Sequence, residues 1–348
     1  MKHLPLLFFL CIGILLSSCN SGNHLSKKNF KLTVTYPSKK LQAGDQIKLV
    51  VNSKLEMDSV TYSYAQHRIA PTEHQPTLET ILQRPLGEHP ISATIFYKGD
   101  SIVLSKNIVL HADKRPILYT YKIINSYPHD PLAFTQGLEF YKDTLYEGTG
   151  MYGVSELRKV DLKTGKILQK TKLDKQYFGE GITILNDKVY QLTWREGIGF
   201  VYDLPSLKQE KTFSYDQSKE GWGLCNDGKL LYKSDGTDKI WIIDPENMEE
   251  KSFFNPVTNT SLASKVNELE WVKGKIYANT WQKDGVLIID PSSGIVEGVI
   301  DFRGLKEEQE NEKADVLNGI AYLPKEDKLY VTGKYWDRIF EVEIIEKD

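Results

Sequence analysis

The chain has 348 residues, of which 40% are hydrophobic and 11% aromatic, and its formal net charge is −3. This length favours more than one folded unit, and the apolar content is enough for well-filled cores. Charges of both signs are interspersed, which excludes the basic stripe that is typical of nucleic-acid-binding proteins. We therefore expect no nucleic-acid partner.

The first residues predict an export signal followed by a lipid anchor. Lys2 supplies a positive charge, and residues 4–16 form an apolar stretch too short to span a membrane. The sequence Leu16-Ser17-Ser18-Cys19 resembles the lipobox of bacterial lipoproteins, whose cysteine is lipidated and becomes the first mature residue. We expect a signal over 1–19, lipid on Cys19, and a polar tether over 20–29. The alternative is an ordinary secretory signal with an incidental cysteine.

This interpretation places the protein in the cell envelope, anchored to a bacterial membrane on its periplasmic face or surface. The chain has three cysteines, and two of them, Cys11 and Cys19, fall in the signal. Only Cys225 remains for the folded part, where we expect a packing role. No Cys/His cluster has the spacing of a zinc site, so we expect no metal.

Residues 30–113 read as short strands of alternating hydrophobicity with Gly and Pro between them. This pattern predicts a small β-sandwich of immunoglobulin-like type. It carries no candidate catalytic cluster, so the rest of the chain is expected to fold and act without it. The predicted strands are 30–34, 47–51, 60–64, 91–97 and 102–104.

Residues 116–348 contain five repeats. Their aligned positions are 44, 42, 45 and 51 residues apart, and each repeat continues into two further apolar runs. A period near 45 residues with several strands per repeat predicts a five-bladed β-propeller, closed by pairing of 119–124 with 340–345. A solenoid is the competing architecture, although its common repeats are shorter or helical. The aligned segments are 135–138 (TQGL), 179–182 (GEGI), 221–224 (GWGL), 266–269 (VNEL) and 317–320 (LNGI).

Equivalent positions of a propeller lie at equivalent radii, so the repeats locate a candidate site. If these segments are the inner strands, their glycines allow close approach at the axis. The residues at the position before the glycine then face the channel together: Gln136, Glu180, Trp222, Asn267 and Asn318. The ends of the next strands add Trp194, Trp281 and Lys334, and Phe134 and Phe178 precede the ring residues by two positions. A polar, uneven ring with aromatic neighbours favours a binding or active site over a water-filled channel.

Eight ordered motifs in this segment resemble plant-type glutaminyl cyclases of the papaya-latex kind. They are 127–138 (YPHDPLAFTQGL), 177–183 (YFGEGIT), 192–194 (LTW), 220–224 (EGWGL), 234–237 (SDGT), 267–270 (NELE), 317–322 (LNGIAY) and 331–336 (VTGKYW). Cys225, where threonine is expected, and Thr280, where valine is commoner, depart from the family pattern. The resemblance covers residues 116–348 but not the sandwich.

The resemblance implies an all-β, cofactor-free enzyme that converts the N-terminal glutamine of peptides or proteins to pyroglutamate and releases ammonia. It assigns acid/base catalysis to Glu180 and oxyanion stabilisation to Lys334 or Asn267. Substrate contacts are expected from Phe134, Gln136, Phe178, Trp194, Trp222, Trp281 and Asn318. We expect a monomer.

Two alternatives remain open at this stage. A non-enzymatic propeller that binds peptide N-termini would keep the aromatic cup without needing Glu180 and Lys334 together. A metal-dependent propeller hydrolase of lactonase type would need carboxylates and amides around a channel ion. Glu180, Asn267, Asn318 and Asp235 are the residues available for such an ion.

Overall fold

The structure of the chain is a computed structural model that describes residues 26–70 and 76–347. The predicted signal, the lipidation site Cys19 and tether residues 20–25 lie outside the described residues. Among the residues described, no helix is long and apolar enough to cross a membrane. In that same part of the chain, helix is confined to two 3₁₀ turns, Lys27–Asn29 and Lys306–Glu308, so the protein is all-β, as predicted.

The N-terminal unit, residues 26–113, folds as two antiparallel sheets around one apolar core. The described residues form β1 (Phe30–Thr35), β2 (Gln46–Ser53), β3 (Ser59–Tyr64), β4 (His67–Arg68), β5 (Thr77–Ile81), β6 (Gly87–Tyr97) and β7 (Asp100–Leu110). One sheet has the order β1-β2-β5 and the other β4-β3-β6-β7. In β3 every second residue is buried, because successive side chains of a strand point to opposite faces. All five predicted strands are present; β4 and β5 are too short or too polar to show in the sequence.

The second part, residues 117–347, is built from strands that are mostly antiparallel to their neighbours in the chain. They are β8 (Ile117–Pro128), β9 (Thr135–Tyr141), β10 (Thr144–Thr149), β11 (Glu156–Asp161), β12 (Lys166–Lys172), β13 (Gly179–Leu185), β14 (Lys188–Thr193), β15 (Ile198–Asp203), β16 (Gln209–Ser214), β17 (Leu224–Asn226), β18 (Leu231–Ser234), β19 (Ile240–Ile243), β20 (Glu250–Phe254), β21 (Val266–Val272), β22 (Lys275–Thr280), β23 (Gly285–Ile289), β24 (Val296–Asp301), β25 (Leu317–Leu323), β26 (Lys328–Gly333) and β27 (Arg338–Glu346). Strands β9–β12, β13–β16 and β17–β20 form three separate four-stranded sheets, and β21–β27 with β8 form one sheet of eight.

The first strands of the repeats, β9, β13, β17, β21 and β25, each contact the next, and β25 returns to β9. They approach so closely that a side chain would collide with neighbouring backbone. A Cβ on Gly181 would lie 2.5 Å from the Trp222 carbonyl oxygen, and one on Gly223 would lie 2.0 Å from the Asn267 carbonyl oxygen. The expectation that glycines permit close approach of these strands is confirmed.

Strand β8 joins the beginning of this part to its end. It pairs antiparallel with β27, for example Tyr121 with Ile344. Its first residues pair in parallel with β24, where Leu118 lies opposite Val299. The predicted pairing of 119–124 with 340–345 is therefore confirmed.

Cys225 is buried in an apolar cluster, so it has the packing role expected of it.

The two parts share packing through the segment 255–265, which connects β20 to β21. Val257 is 0% exposed and belongs to the core of the N-terminal unit. The Glu88 backbone N–H donates to Asn255 Oδ1 at 3.2 Å, and Gln42 Nε2 donates to the Asn259 carbonyl at 2.9 Å. A valine of the second part thus completes the core of the first. That the second part folds and acts without the first stays a prediction.

Candidate active site

A cavity of about 370 Å³ opens where the inner strands of the repeats begin. Nine of the ten predicted catalytic and substrate-binding residues line it, which supports the use of repeat positions to locate the site. The lining residues are Phe134, Gln136, Phe178, Glu180, Trp194, Arg195, Glu220, Trp222, Gly236, Lys265, Asn267, Trp281 and Lys334.

Glu180 is the central acidic group of the cavity. It is the second residue of β13 and is only 4% exposed. Gln136 Nε2 donates a hydrogen bond to Glu180 Oε1 at 2.8 Å, while Oε2 is buried and has no partner among the described residues. Burial raises the pKa of Glu180 well above its usual value, and nearby Lys334 opposes this shift. One carboxylate oxygen is therefore anchored and the other is available to a substrate.

Asn318 lies behind this pair and does not line the cavity. Its Nδ2 donates to Gln136 Oε1 at 3.2 Å and to the Thr135 carbonyl at 2.9 Å. With its oxygen so occupied, the Gln136 amide must direct its nitrogen to Glu180. In this structure Asn318 therefore orients Gln136, and its predicted contact with substrate stays a prediction.

Lys334 and Asn267 are two further buried polar groups that line the cavity. Both are less than 5% exposed. Lys334 Nζ lies 4.5 Å from the centre of the Phe134 ring, and no carboxylate of the described residues lies within ion-pair distance of it. Burial lowers the pKa of Lys334, and Glu180 opposes that shift. Lys334 can therefore supply a hydrogen-bond donor to charge that develops on a bound substrate.

Aromatic side chains form two walls around these polar groups. In the first wall Phe134 and Phe178 meet edge to face at 5.9 Å between ring centres, and Phe178 lies 5.4 Å from Trp194. In the second, Trp222 and Trp281 meet edge to face at 6.2 Å. Gly236 lies against Trp222, and a Cβ there would be 2.5 Å from the indole. The result is a low-dielectric cup in which charged groups interact strongly.

Comparison with known proteins places this arrangement in a family. A family model described as glutamine cyclotransferase matches residues 101–344. The chain belongs to this family. It is 41% identical to the glutaminyl-peptide cyclotransferase of Arabidopsis thaliana over 228 residues, which are 64% of this chain and 71% of that relative. The crystal structure of Myxococcus xanthus glutaminyl cyclase matches with a TM-score of 0.63 and 35% identity, over 67% of this chain and 100% of that one.

Four lining residues of this glutamine cyclotransferase were not predicted from the sequence: Arg195, Glu220, Gly236 and Lys265. Two of them were detectable, because Glu220 and Lys265 precede Trp222 and Asn267 by two positions. Phe134 and Phe178 stand in the same relation to Gln136 and Glu180. The position two residues before each ring residue therefore predicts a cavity-lining side chain. This was hard to see because the position holds Phe in two repeats and a charged residue in two others.

Three further carboxylates lie elsewhere on the inner strands: Glu268 and Glu270 are buried, and Glu139 is half-buried. Glu139, Glu268 and Glu270 each accept a backbone N–H from a neighbouring strand, at distances between 2.7 and 3.4 Å. Burial raises their pKa values, in the case of Glu139 to about 8. Among the residues described, no three His, Cys, Asp or Glu side chains are grouped to hold a metal ion. These carboxylates are best explained as links between neighbouring inner strands.

Proposed function

We propose that the cavity cyclises the N-terminal glutamine of peptides or proteins to pyroglutamate and releases ammonia, as a glutaminyl-peptide cyclotransferase. The observation that carries this function is the unpartnered Glu180 Oε2, which is buried beside Lys334 and Asn267 in an aromatic cup. Membership of the glutamine cyclotransferase family supports it, as does the 41% identity to the Arabidopsis enzyme.

The substrate α-amine must be neutral when it attacks the carboxamide carbon of its own side chain, and its nitrogen gives up a further proton as the bond forms. Free α-amines titrate at about 7.7–8.0, so part of the population is already neutral near pH 7. Glu180 Oε2 accepts the proton as the new C–N bond forms. The carboxamide oxygen becomes an oxyanion, which Lys334 Nζ or the Asn267 amide stabilises by donating to it.

The same carboxyl group then completes the reaction. Glu180 returns its proton to the amide nitrogen of the tetrahedral intermediate, the C–N bond to that nitrogen breaks, and ammonia leaves. The carbonyl re-forms as the lactam of pyroglutamate. The aromatic walls exclude water and hold the glutamine side chain folded towards its own amine, which turns the attack into a well-oriented intramolecular step.

Incubation with a glutamine-initiated peptide tests this function directly. We expect mass spectrometry to show the loss of one ammonia from the peptide, and no change in a matched peptide whose N-terminal glutamine is acetylated. The reaction is expected to continue in the presence of a chelator. Binding without a change in mass would favour the peptide-binding propeller, and loss of activity in chelator would favour the metal-dependent hydrolase.

For the architecture, we propose a five-bladed β-propeller over residues 116–348 and a small immunoglobulin-like β-sandwich over 30–113. Support comes from the contacts of the five inner strands, which close into a ring. In addition, each of the first three inner strands, β9, β13 and β17, begins a four-stranded sheet of its own. In the sheet of eight, β21–β24 form the fourth blade. Strands β25–β27 with β8 form the fifth, so the outer strand of the last blade comes from the start of this part.

We also propose that the protein is anchored by lipid on Cys19 in a bacterial cell envelope. Cys19→Ser is expected to abolish incorporation of a labelled fatty acid and to leave the protein uncleaved or soluble, because no acceptor thiol remains. Cys11→Ser, within the apolar stretch, is the matched control and is expected to be labelled as wild type. Membrane fractionation of the cleaved Cys19→Ser protein that matches wild type would contradict the anchor.

A further inference from the structure

We propose that Glu220 is a positioning residue of this site: one of its carboxylate oxygens holds Trp194 and Trp222 together and so sets the shape of the cup that receives glutamine. The proposal rests on the proposed function for its kinetic consequences. Its structural consequence, the position of two indoles, stands independently of turnover.

The geometry of the carboxylate carries the proposal. Glu220 Oε2 accepts from Trp194 Nε1 at 2.8 Å and from Trp222 Nε1 at 2.9 Å. Indole N–H groups can only donate, and hydrogen bonds to a charged acceptor are shorter and stronger than neutral ones. A single oxygen therefore ties the first aromatic wall to the second.

The other oxygen is held by Arg195, which also lines the cavity. Arg195 Nε donates to Glu220 Oε1 at 3.2 Å, and its guanidinium lies 3.7 Å from the centre of the Trp194 ring. Trp194 is thus held at its N–H by Glu220 and on one face by Arg195. Gly236 packs closely against the Trp222 indole, so the second indole has little room to move towards it.

Trp281 provides an internal contrast. Its indole N–H donates to none of the described residues, and its neighbours are the edge of Trp222 and Lys265 Nζ at 4.8 Å. Two of the three tryptophans of the cavity are therefore fixed by Glu220, and the third is positioned by packing. Loss of Glu220 should release the first two and affect Trp281 only through its contact with Trp222.

The charge of Glu220 also reaches the central carboxylate. Burial is the main cause of the raised pKa of Glu180, and the negative charge of Glu220 raises it further. Removing that charge removes one raising influence, so the pKa of Glu180 falls. The acidic limb of the kcat/KM profile then moves to lower pH, which a purely structural role would not produce.

Two substitutions separate the contributions. Glu220→Gln keeps an acceptor oxygen but loses the charge, whereas Glu220→Ala loses both. We expect Glu220→Ala to raise KM for a glutamine peptide about tenfold or more, because two indole N–H groups lose a charged partner, with a smaller change in kcat. Glu220→Gln should raise KM less, and both should move the acidic limb downwards. Glu246→Gln, far from the cavity, is the control and should match wild type.

A crystal structure of Glu220→Ala provides the second measurement. Displacement of the Trp194 and Trp222 indoles supports the proposal, even if wild-type protein showed no cyclisation and the proposed function failed. Unmoved indoles, or a KM and pH profile equal to wild type in a folded Glu220→Ala protein, would overturn it. A loss of activity that only follows the folded fraction would overturn it as well.

Discussion

Glu180→Gln is expected to lower kcat by about 10²–10⁴-fold, the usual cost of removing a general acid/base. The amide keeps the size of the side chain and an oxygen that can accept from Gln136, but it cannot take the proton of the α-amine. KM should change little, because the aromatic walls and Lys334 remain. Steady-state release of ammonia from a glutamine peptide measures the effect.

Stability provides a sharp check on this assignment. The folded protein holds the Glu180 carboxyl with a raised pKa, so ionised Glu180 opposes folding at pH values above its ordinary pKa. A neutral amide removes this cost, and the melting temperature of Glu180→Gln at neutral pH should be unchanged or higher. If Glu180 only braced the inner strands, the substitution would lower stability and spare the chemistry.

The pH profile follows from the same groups. Glu180 must be ionised to accept a proton, so kcat/KM should fall as the pH drops through its raised pKa. Lys334 must be charged to donate most strongly. Because its pKa is lowered, the alkaline limb of the kcat/KM profile should lie at lower pH than an ordinary lysine would give. The bell should therefore be narrower than ordinary Glu and Lys pKa values would produce.

Glu139→Gln is the matched control, since Glu139 is also a carboxylate on an inner strand whose pKa burial raises, but it does not line the cavity. It should retain turnover per folded molecule. Near wild-type turnover by a folded Glu180→Gln protein would remove Glu180 from the mechanism and leave Lys334 and the amides to explain it.

The second large effect is expected from Val257→Asp. This side chain is fully buried in the core of the N-terminal unit although it belongs to the segment between β20 and β21. A buried, unpaired carboxylate should reduce the free energy of unfolding by on the order of 3 kcal/mol or more. Val257→Ala should cost roughly 1–2 kcal/mol, since it only removes methyl groups. Thermal or urea unfolding measures both.

The consequence should extend to the active site. Segment 255–265 ends at Lys265, whose carbonyl accepts from the Trp281 backbone N–H at 2.9 Å, and Asn267 lies two residues further along the chain. Loosening Val257 should therefore raise KM as well as lower stability. Val103→Asp, at an exposed valine of β7, is the control of equal chemistry and should leave both unchanged. Wild-type stability and KM in Val257→Asp would show that the N-terminal unit does not support the site.

Much of the site was accessible from sequence because repeats put equivalent residues at equivalent radii. The alignment of the repeats placed four residues together because each is the second residue of its repeat segment: Gln136, Glu180, Trp222 and Asn267. That inference needs only strand periodicity and a closed ring, both of which are local or repeated properties. The pairing of β8 with β27 followed for the same reason, since a ring has to close.

The tertiary structure decided what each side chain does. Asn318 occupies the predicted repeat position but turns to the Gln136 amide, and Glu220 faces the cavity because two indoles from different repeats converge on it. Val257 was unremarkable as a sequence residue, yet it completes the core of another unit. The hydrogen-bond partners of a side chain, and the core in which it packs, depend on the direction in which it points relative to strands that are distant in sequence. Repeat spacing and strand periodicity determine the radius of a residue, but not those directions.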